Sequence, residues 1–338
     1  MRITILFILL ALFAAACQPQ PSSPTAVPST DAPLIAPTDT PAAASIAALR
    51  PEEILVAVDA SNGNVSAVAY DVATGESRTL VADLEALAGD GGFLDLPARS
   101  PDGTRLAYER SVIVNTSGGF NTVNQGIWVS TIDGRDARQI AQPAGTFEYT
   151  APVWSPDGQQ IAFRSNEFGG KTYVVGLDGA PPVEIVAGSK PNRVSWSPDG
   201  TRLLYTSDRR EGATLRRGIF VYDIAAATET AVILAEGVIF STPAWSPDGT
   251  RIAYIRWDSS AELQEIFVSS ADGSNAVNLT PGQAYAYDPQ FSPDGTQIAY
   301  NHYDSEAKTY SLALLTLDGS AERQILLQLH FNRSGPDW

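Results

Sequence analysis

The chain has 338 residues, with 22 basic against 38 acidic side chains for a net charge of −16, two histidines and one cysteine. That balance excludes the basic footprint that nucleic-acid binding requires, and it disfavours direct adsorption to anionic lipid. Two histidines exclude a histidine-rich metal centre, and no cofactor is expected.

In chain order, Met1-Arg2 precedes an apolar run from Ile3 to Ala16 that is too short to span a bilayer and reads as a signal peptide over residues 1–16. It ends in Ala14-Ala15-Ala16-Cys17, which resembles the lipobox of bacterial lipoproteins and marks Cys17, the only cysteine, for lipidation. The alternative is ordinary cleavage after the Ala-x-Ala sequence. Gln18 to Ala48 is Pro, Ala, Ser and Thr with little charge, which predicts an extended, disordered tether, so that residues 17–50 are an anchor and spacer. At ~3.1 Å per residue such a spacer reaches up to ~90 Å.

Residues 51–338 carry the repeat. Ile54 to Asp59, Val65 to Asp71 and Ser77 to Val81 read as strands with no inner strand of their own. Then a motif recurs five times: Arg99-Ser100-Pro101-Asp102-Gly103, Trp154 to Gly158, Trp196 to Gly200, Trp245 to Gly249 and Phe291 to Gly295. Its serines are spaced by 55, 42, 49 and 46 residues, the period of a four-stranded propeller blade. Ser-Pro-Asp-Gly suits a tight turn, since proline presets φ, Ser and Asp bond back to the backbone, and glycine takes positive φ. The preceding aromatic is expected to fill the gap between adjacent blades, with the indole N–H seeking a partner.

After each motif comes a second strand: Arg105 to Glu109, Gln160 to Arg164, Arg202 to Thr206, Arg251 to Ile255 and Gln297 to Asn301. Third runs (Gly126 to Thr131, Thr172 to Leu177, Gly218 to Tyr222, Glu265 to Ser269, Ser311 to Leu315) mostly end in Asp-Gly turns, though the copy near Asp223 lacks its glycine. Fourth strands such as Ala276 to Leu279 and Arg323 to Leu327 complete four antiparallel strands per unit. The chain's last residues, Gly335-Pro336-Asp337-Trp338, match the approach to the motif seen in Thr242-Pro243-Ala244-Trp245. Trp338 is therefore expected to supply the inner strand that the N-terminal three lack, closing an all-β, six-bladed ring of 48 residues per blade.

Function on a propeller sits where the loops that lead into the inner strands surround the channel. The position three before each aromatic is Leu96, Ala151, Arg193, Thr242, Asp288 and Gly335, different in chemistry around the ring. The expected ligand- or partner-binding residues at this mouth are Glu148, Tyr149, Lys190, Asn192, Arg193, Tyr285, Tyr287, Asp288 and Arg333, set against a plain water-filled funnel. Arg209, Arg210, Arg216 and Arg217 form a basic cluster that either docks an acidic partner or pairs locally with Asp208 and Glu211. The motif aspartates Asp102, Asp157, Asp199, Asp248 and Asp294 fall one per blade, too far apart to share an ion, and are expected to form turns. The Gly-x-Ser-x-Gly, phosphate-loop and His-x-x-x-His signatures are absent from the sequence.

The Trp-Ser-Pro-Asp-Gly copies, the Arg251 to Tyr254 type of strand that follows them and the Asp-Gly hairpin before Asn278-Leu279-Thr280 resemble the propeller repeats of the TolB family over residues 51–338. The resemblance implies a six-bladed propeller and a protein-binding role; TolB itself carries an α/β domain where this chain has a tether. The expectation is a non-enzymatic binding or scaffolding lipoprotein outside the cytoplasmic membrane of a bacterium, holding a protein or cell-wall glycan ligand, attached to the membrane through its acyl chains, with no nucleic acid. The alternative is an enzyme acting on an extracellular glycan or peptide with acids such as Asp288 and Glu148, which requires two carboxylates ~5–10 Å apart. A third is the regulatory propeller of a prolyl-peptidase-like enzyme.

Overall fold

The computed structural model describes residues 50–59, 65–81, 97–116, 119–145, 147–167, 170–187, 193–211, 214–258, 260, 263–282, 285–317 and 323–329. These form 23 strands in six antiparallel sheets and no helix. Blade 1 holds β1 (Glu53–Asp59), β2 (Val65–Asp71) and β3 (Ser77–Val81); blade 2 holds β4 (Ala98–Arg99), β5 (Arg105–Thr116), β6 (Gly119–Thr131) and β7 (Arg138–Ala141). Blade 3 is β8 (Tyr149–Trp154), β9 (Gln160–Ser165), β10 (Lys171–Gly176) and β11 (Val183–Ala187); blade 4 is β12 (Ser195–Trp196), β13 (Arg202–Glu211), β14 (Thr214–Asp223) and β15 (Thr228–Ala235). Blade 5 is β16 (Val238–Trp245), β17 (Arg251–Asp258), β18 (Leu263–Ser270) and β19 (Val277–Asn278), and blade 6 is β20 (Ala286–Phe291), β21 (Gln297–Asp304), β22 (Thr309–Thr316) and β23 (Arg323–Leu329).

The core lies between blades. Six apolar clusters are each shared by two successive sheets. The last joins Ile54, Val56, Val68 and Tyr70 of blade 1 to Ala299, Leu312 and Leu314 of blade 6, so the ring closes on itself by packing. The expected clasp through Trp338 lies outside the described residues. Second strands such as β17 bury both of their faces, which is why the run Ile252 to Ile255 is continuously apolar.

The motif works as its composition predicts. In all five copies the serine hydroxyl donates to the aspartate Oδ1 at 2.5–2.6 Å, and the glycine N–H donates to the serine carbonyl at 2.8–2.9 Å. The glycines have φ of 67–70°, the left-handed region. A β-carbon at Gly158, Gly200, Gly249 or Gly295 would stand 3.6–3.8 Å from the proline of the preceding motif, an ordinary contact, so backbone conformation rather than space selects glycine. The turns thus abut in a row around one end of the ring.

The aromatics fill the gaps between blades. Trp154 Nε1 donates to the Ala98 carbonyl at 3.0 Å, and Trp196 Nε1 to the Val153 carbonyl at 3.2 Å, in each case on the preceding blade. The arginine that opens the second strand lies over the next blade's aromatic: Arg105 over Trp154, Arg202 over Trp245 and Arg251 over Phe291, at 4.7, 5.1 and 5.4 Å.

Three details depart from the sequence reading. The second and third strands of blade 2 run on to Thr116 and start at Gly119, because the β-branched residues between them extend the hairpin. Near Asp223 the missing glycine is replaced by Ala227 at φ 51°, in a longer turn where Asp223 Oδ1 accepts from the Ala226 N–H at 2.8 Å. A turn without the motif precedes β1: the Glu53 N–H donates to the Arg50 carbonyl at 3.0 Å. Burial alone would raise the Glu53 carboxyl, but hydrogen bonds from Arg78 and Arg50 outweigh it and hold it at about 2.

Candidate functional site

The ring has two unlike ends. At one lie the motif turns, with Arg50 beside them: Arg99, next to the first motif, donates to the Arg50 carbonyl at 3.2 Å, and Arg50 pairs with Asp71 at 2.9 Å. At the other lie the loops leading into the inner strands and the hairpins joining second to third strands.

At this second end the inner strands bulge. Register slips between Thr150 and Val153, between Ser241 and Ala244, and between Tyr287 and Gln290. In each case the slip contains a residue in the left-handed region followed by proline: Ala151 at φ 51°, Thr242 at 43° and Asp288 at 51°. Proline has no N–H for the ladder and disfavours the right-handed helical region in the residue before it, so an x-Pro pair two places before the aromatic forces the extra residue out of register. Left-handed geometry costs about 1 kcal/mol per non-glycine residue. The bulge re-aims the side chain that the alignment had singled out. Arg193, followed by Val194 instead of proline, precedes the two-residue β12 without a bulge.

The predicted residues separate into groups. Glu148 is exposed on blade 3; its N–H donates to Asn166 Oδ1 at 2.8 Å, and Asn166 Nδ2 donates back to Glu148 Oε2 at 3.0 Å. Tyr149 is a correction: it is 6% exposed, packed 4.7 Å from Phe163 and 5.6 Å from Tyr173, and belongs to the core between blades 2 and 3. Alternation along β8 turns it inward. Arg193 is half-buried on blade 4 and has no hydrogen-bond or ion-pair partner among the described residues. Tyr285, Tyr287 and Asp288 come together on blade 6, all half-buried. Cys17, Lys190, Asn192 and Arg333 lie outside the described residues.

Glu148 and Asp288 stand on blades 3 and 6, opposite one another in the ring. Within the basic cluster Arg217 pairs with Asp208 at 3.4 Å, while Arg209 lies over Phe220 and pairs with Glu229 on the neighbouring strand β15 at 2.5 Å; the side chains of Arg210 and Glu211 lie outside the described residues. His302 is half-buried beside Tyr300. Among the described residues no three of His, Cys, Asp and Glu converge to hold a metal ion.

Sequence reading missed four residues here. Phe147 is 39% exposed in the loop before Glu148, and Val123 is 42% exposed on the extended blade 2 hairpin. Tyr303, on the second strand, meets Tyr285, and Tyr310, on the third, meets Tyr303: centroids are 5.7 Å apart for Tyr285–Tyr303 and 4.6 Å for Tyr303–Tyr310. The signal was an excess of tyrosine in one repeat, which an alignment on inner-strand loops alone does not register.

The fold and its mouth define a closed six-bladed propeller with a structural turn face and a chemically varied opposite face. Residues 92–338 match the model of the TolB beta propeller domain, and the chain belongs to that family. Among solved structures, a putative TolB from Agrobacterium tumefaciens superposes with a TM-score of 0.60 at 21% identity, over 79% of this chain and 88% of that one. An oligogalacturonate lyase solved in complex with manganese gives a TM-score of 0.55 at 14% identity over 81% and 73%. Such likenesses show the fold alone. An uncharacterized peptidase of Bacillus subtilis, YuxL, is 30% identical over 124 residues, which span 35% of this chain and only 18% of that protein.

Proposed function

We propose that this protein is a non-enzymatic binding or scaffolding lipoprotein, attached through Cys17 outside the cytoplasmic membrane of a bacterium and presenting its varied face to a protein or cell-envelope ligand. The observation that supports this reading is the contrast between the two ends of the ring: the motif turns repeat at one end, while the opposite end changes in chemistry from blade to blade. Half-buried Arg193, exposed Phe147 and the tyrosines of blade 6 then face outward, a mixture of aromatic and charged groups suited to recognition.

The test is crosslinking and capture from intact cells with the whole protein, beside a variant carrying Arg193→Glu and Asp288→Arg, together with intact mass of the N-terminus. A partner recovered by the native protein and lost by the variant, with an acylated Cys17, is the expected result. Loss of no partner would refute the choice of face, and an unmodified N-terminus would refute the anchor.

A second reading, an enzyme acting on a glycan or peptide, draws on the fold shared with the lyase and the partial match to the peptidase. It assigns Glu148 and Asp288 to the chemistry. Turnover of a glycan or peptide substrate abolished by Glu148→Gln would favour it over the binding reading.

A further inference from the structure

Four of the chain's 12 tyrosines gather at the mouth end of blade 6. Tyr285 stands edge-on to Tyr303 at 5.7 Å and 78°, and Tyr303 meets Tyr310 at 4.6 Å and 37°, so three rings form a row running outward from the inner strand. Tyr287 lies beside them: burial, then the charges of Tyr310, Tyr285, Tyr303 and Asp288, push its hydroxyl up. All four rings are half-buried. Among the described residues none of their hydroxyls has a hydrogen-bond partner, whereas Tyr173 donates to Glu167 at 2.9 Å and Tyr205 to Glu229.

The other blades act as internal controls. The Tyr303 N–H donates to the Tyr285 carbonyl just as the Asn166 N–H donates to the Glu148 carbonyl on blade 3, and Tyr287 opposite Asn301 corresponds to Thr150 opposite Arg164. On blade 5 the same places hold Ile239, Ser241, Trp257 and Gln264. The backbone forms the same sheet with each set, so the propeller does not require tyrosine at any of them.

The row's chemistry selects a ligand class. Rings in mutual contact leave no gap between their faces for an organic cation, as an aromatic cage must. An anion would meet Asp288 beside Tyr287 and a chain of net charge −16. What remains is a neutral molecule with an apolar ring face for stacking and hydroxyls to exchange hydrogen bonds with phenols, each of which both donates and accepts. A proline-rich peptide also stacks on aromatic grooves but offers its carbonyls only as acceptors, matching half of that capacity.

We propose that the Tyr285, Tyr303 and Tyr310 row, with Tyr287 beside it, is a stacking subsite for a neutral saccharide. This rests on the binding reading above and names the ligand class for that face.

The test is isothermal titration and saturation-transfer NMR on the whole protein with maltohexaose, cellohexaose and chitohexaose, beside oligogalacturonate and a proline-rich peptide. At least one neutral oligosaccharide should bind, at least tenfold more weakly to Tyr285→Ala and Tyr303→Ala and less weakened in Tyr303→Phe, which keeps the ring. Thermal midpoints establish which variants fold; Tyr285, ahead of β20, serves if Tyr303→Ala does not. No binding of the three neutral sugars, a preference for oligogalacturonate or the peptide, or binding unchanged in the folded alanine variants would each overturn the saccharide subsite. Capture of a partner by the native protein and by Tyr285→Ala, with no sugar bound, would sink this inference while leaving the binding reading in place; failure of both would sink both.

Discussion

The two ends of this ring are built from the same repeat, yet one end says the same thing five times and the other says something different on each blade. At the motif end, serine, aspartate, glycine and the neighbouring proline recur with hydrogen bonds that agree to within 0.1 Å. At the mouth, Ala151, Arg193, Thr242 and Asp288 occupy equivalent positions. Repetition marks what each blade needs in order to fold against its neighbour; variation marks where the fold places no demand and another requirement can be met.

The comparison is broken most severely by removing an inter-blade aromatic. Trp154→Ala deletes a ring that is 5% exposed, its hydrogen bond to Ala98 and its contact with Arg105. A loss of about 3–5 kcal/mol in urea unfolding is expected. A loss below about 1 kcal/mol would mean that the gap is not filled as described.

Ser246→Ala tests the turn itself. It removes the donor to Asp248 and the acceptor for the Arg251 N–H at 2.9 Å, and should cost about 1 kcal/mol. The same change at Ser100, Ser155, Ser197 or Ser292 should cost about as much, since each serine is at most 2% exposed and bonded alike. Unequal costs would show that the turns are not equivalent.

Acid probes all copies at once. Hydrogen bonds from Ser197 and the Thr201 N–H hold Asp199 at about 2, those from Ser246 and the Thr250 N–H hold Asp248 at about 2, and Asp102, Asp157 and Asp294 are lowered too. A lowered folded value means that this stabilisation is fully present above the unfolded value of 3.8 and is lost as pH falls towards 2. Unfolding followed between pH 5 and pH 2 should therefore show a steep loss below pH 4, shallower in an Asp199→Asn, Asp248→Asn double variant once its lower starting stability is subtracted.

How far each end was legible follows from the same contrast. The period, the turn chemistry and the inter-blade role of Trp154 and Trp196 could be read because one pentapeptide repeats with a physical reason for every residue. The turn at Arg50 was invisible: it is held by arginine bonded to Glu53 and Asp71, and it has neither the serine nor the glycine of the motif. At the mouth, alignment on the aromatic singled out Ala151, Thr242 and Asp288 for their varied chemistry, without showing that they sit in bulges. It did not find their left-handed backbone, nor that strand alternation buries Tyr149 while Phe147, two residues away on the same side of the alternation, remains exposed outside the strand. Tyr303 and Tyr310 reach the mouth from other strands of the blade, so only the register of β20 to β22 brings them to Tyr285.

The smallest effects on stability are expected at the mouth. Glu148→Ala removes an exposed side chain whose one bond among the described residues, from Asn166, is open to water. Arg193→Ala removes a half-buried cation with no partner among the described residues. Neither change leaves a buried group unsatisfied or opens a cavity, so both should stay within about 0.5 kcal/mol of the parent. Measured beside Trp154→Ala in the same urea titrations, they set the two ends against each other directly. If Arg193→Ala cost more than about 1 kcal/mol, the side chain would be holding blade 4 to its neighbours, and the mouth would lose its claim to be free of structural duty. If its stability is unchanged while partner capture falls, the separation of a folding end from a recognition end holds at the residue where it is most exposed to test.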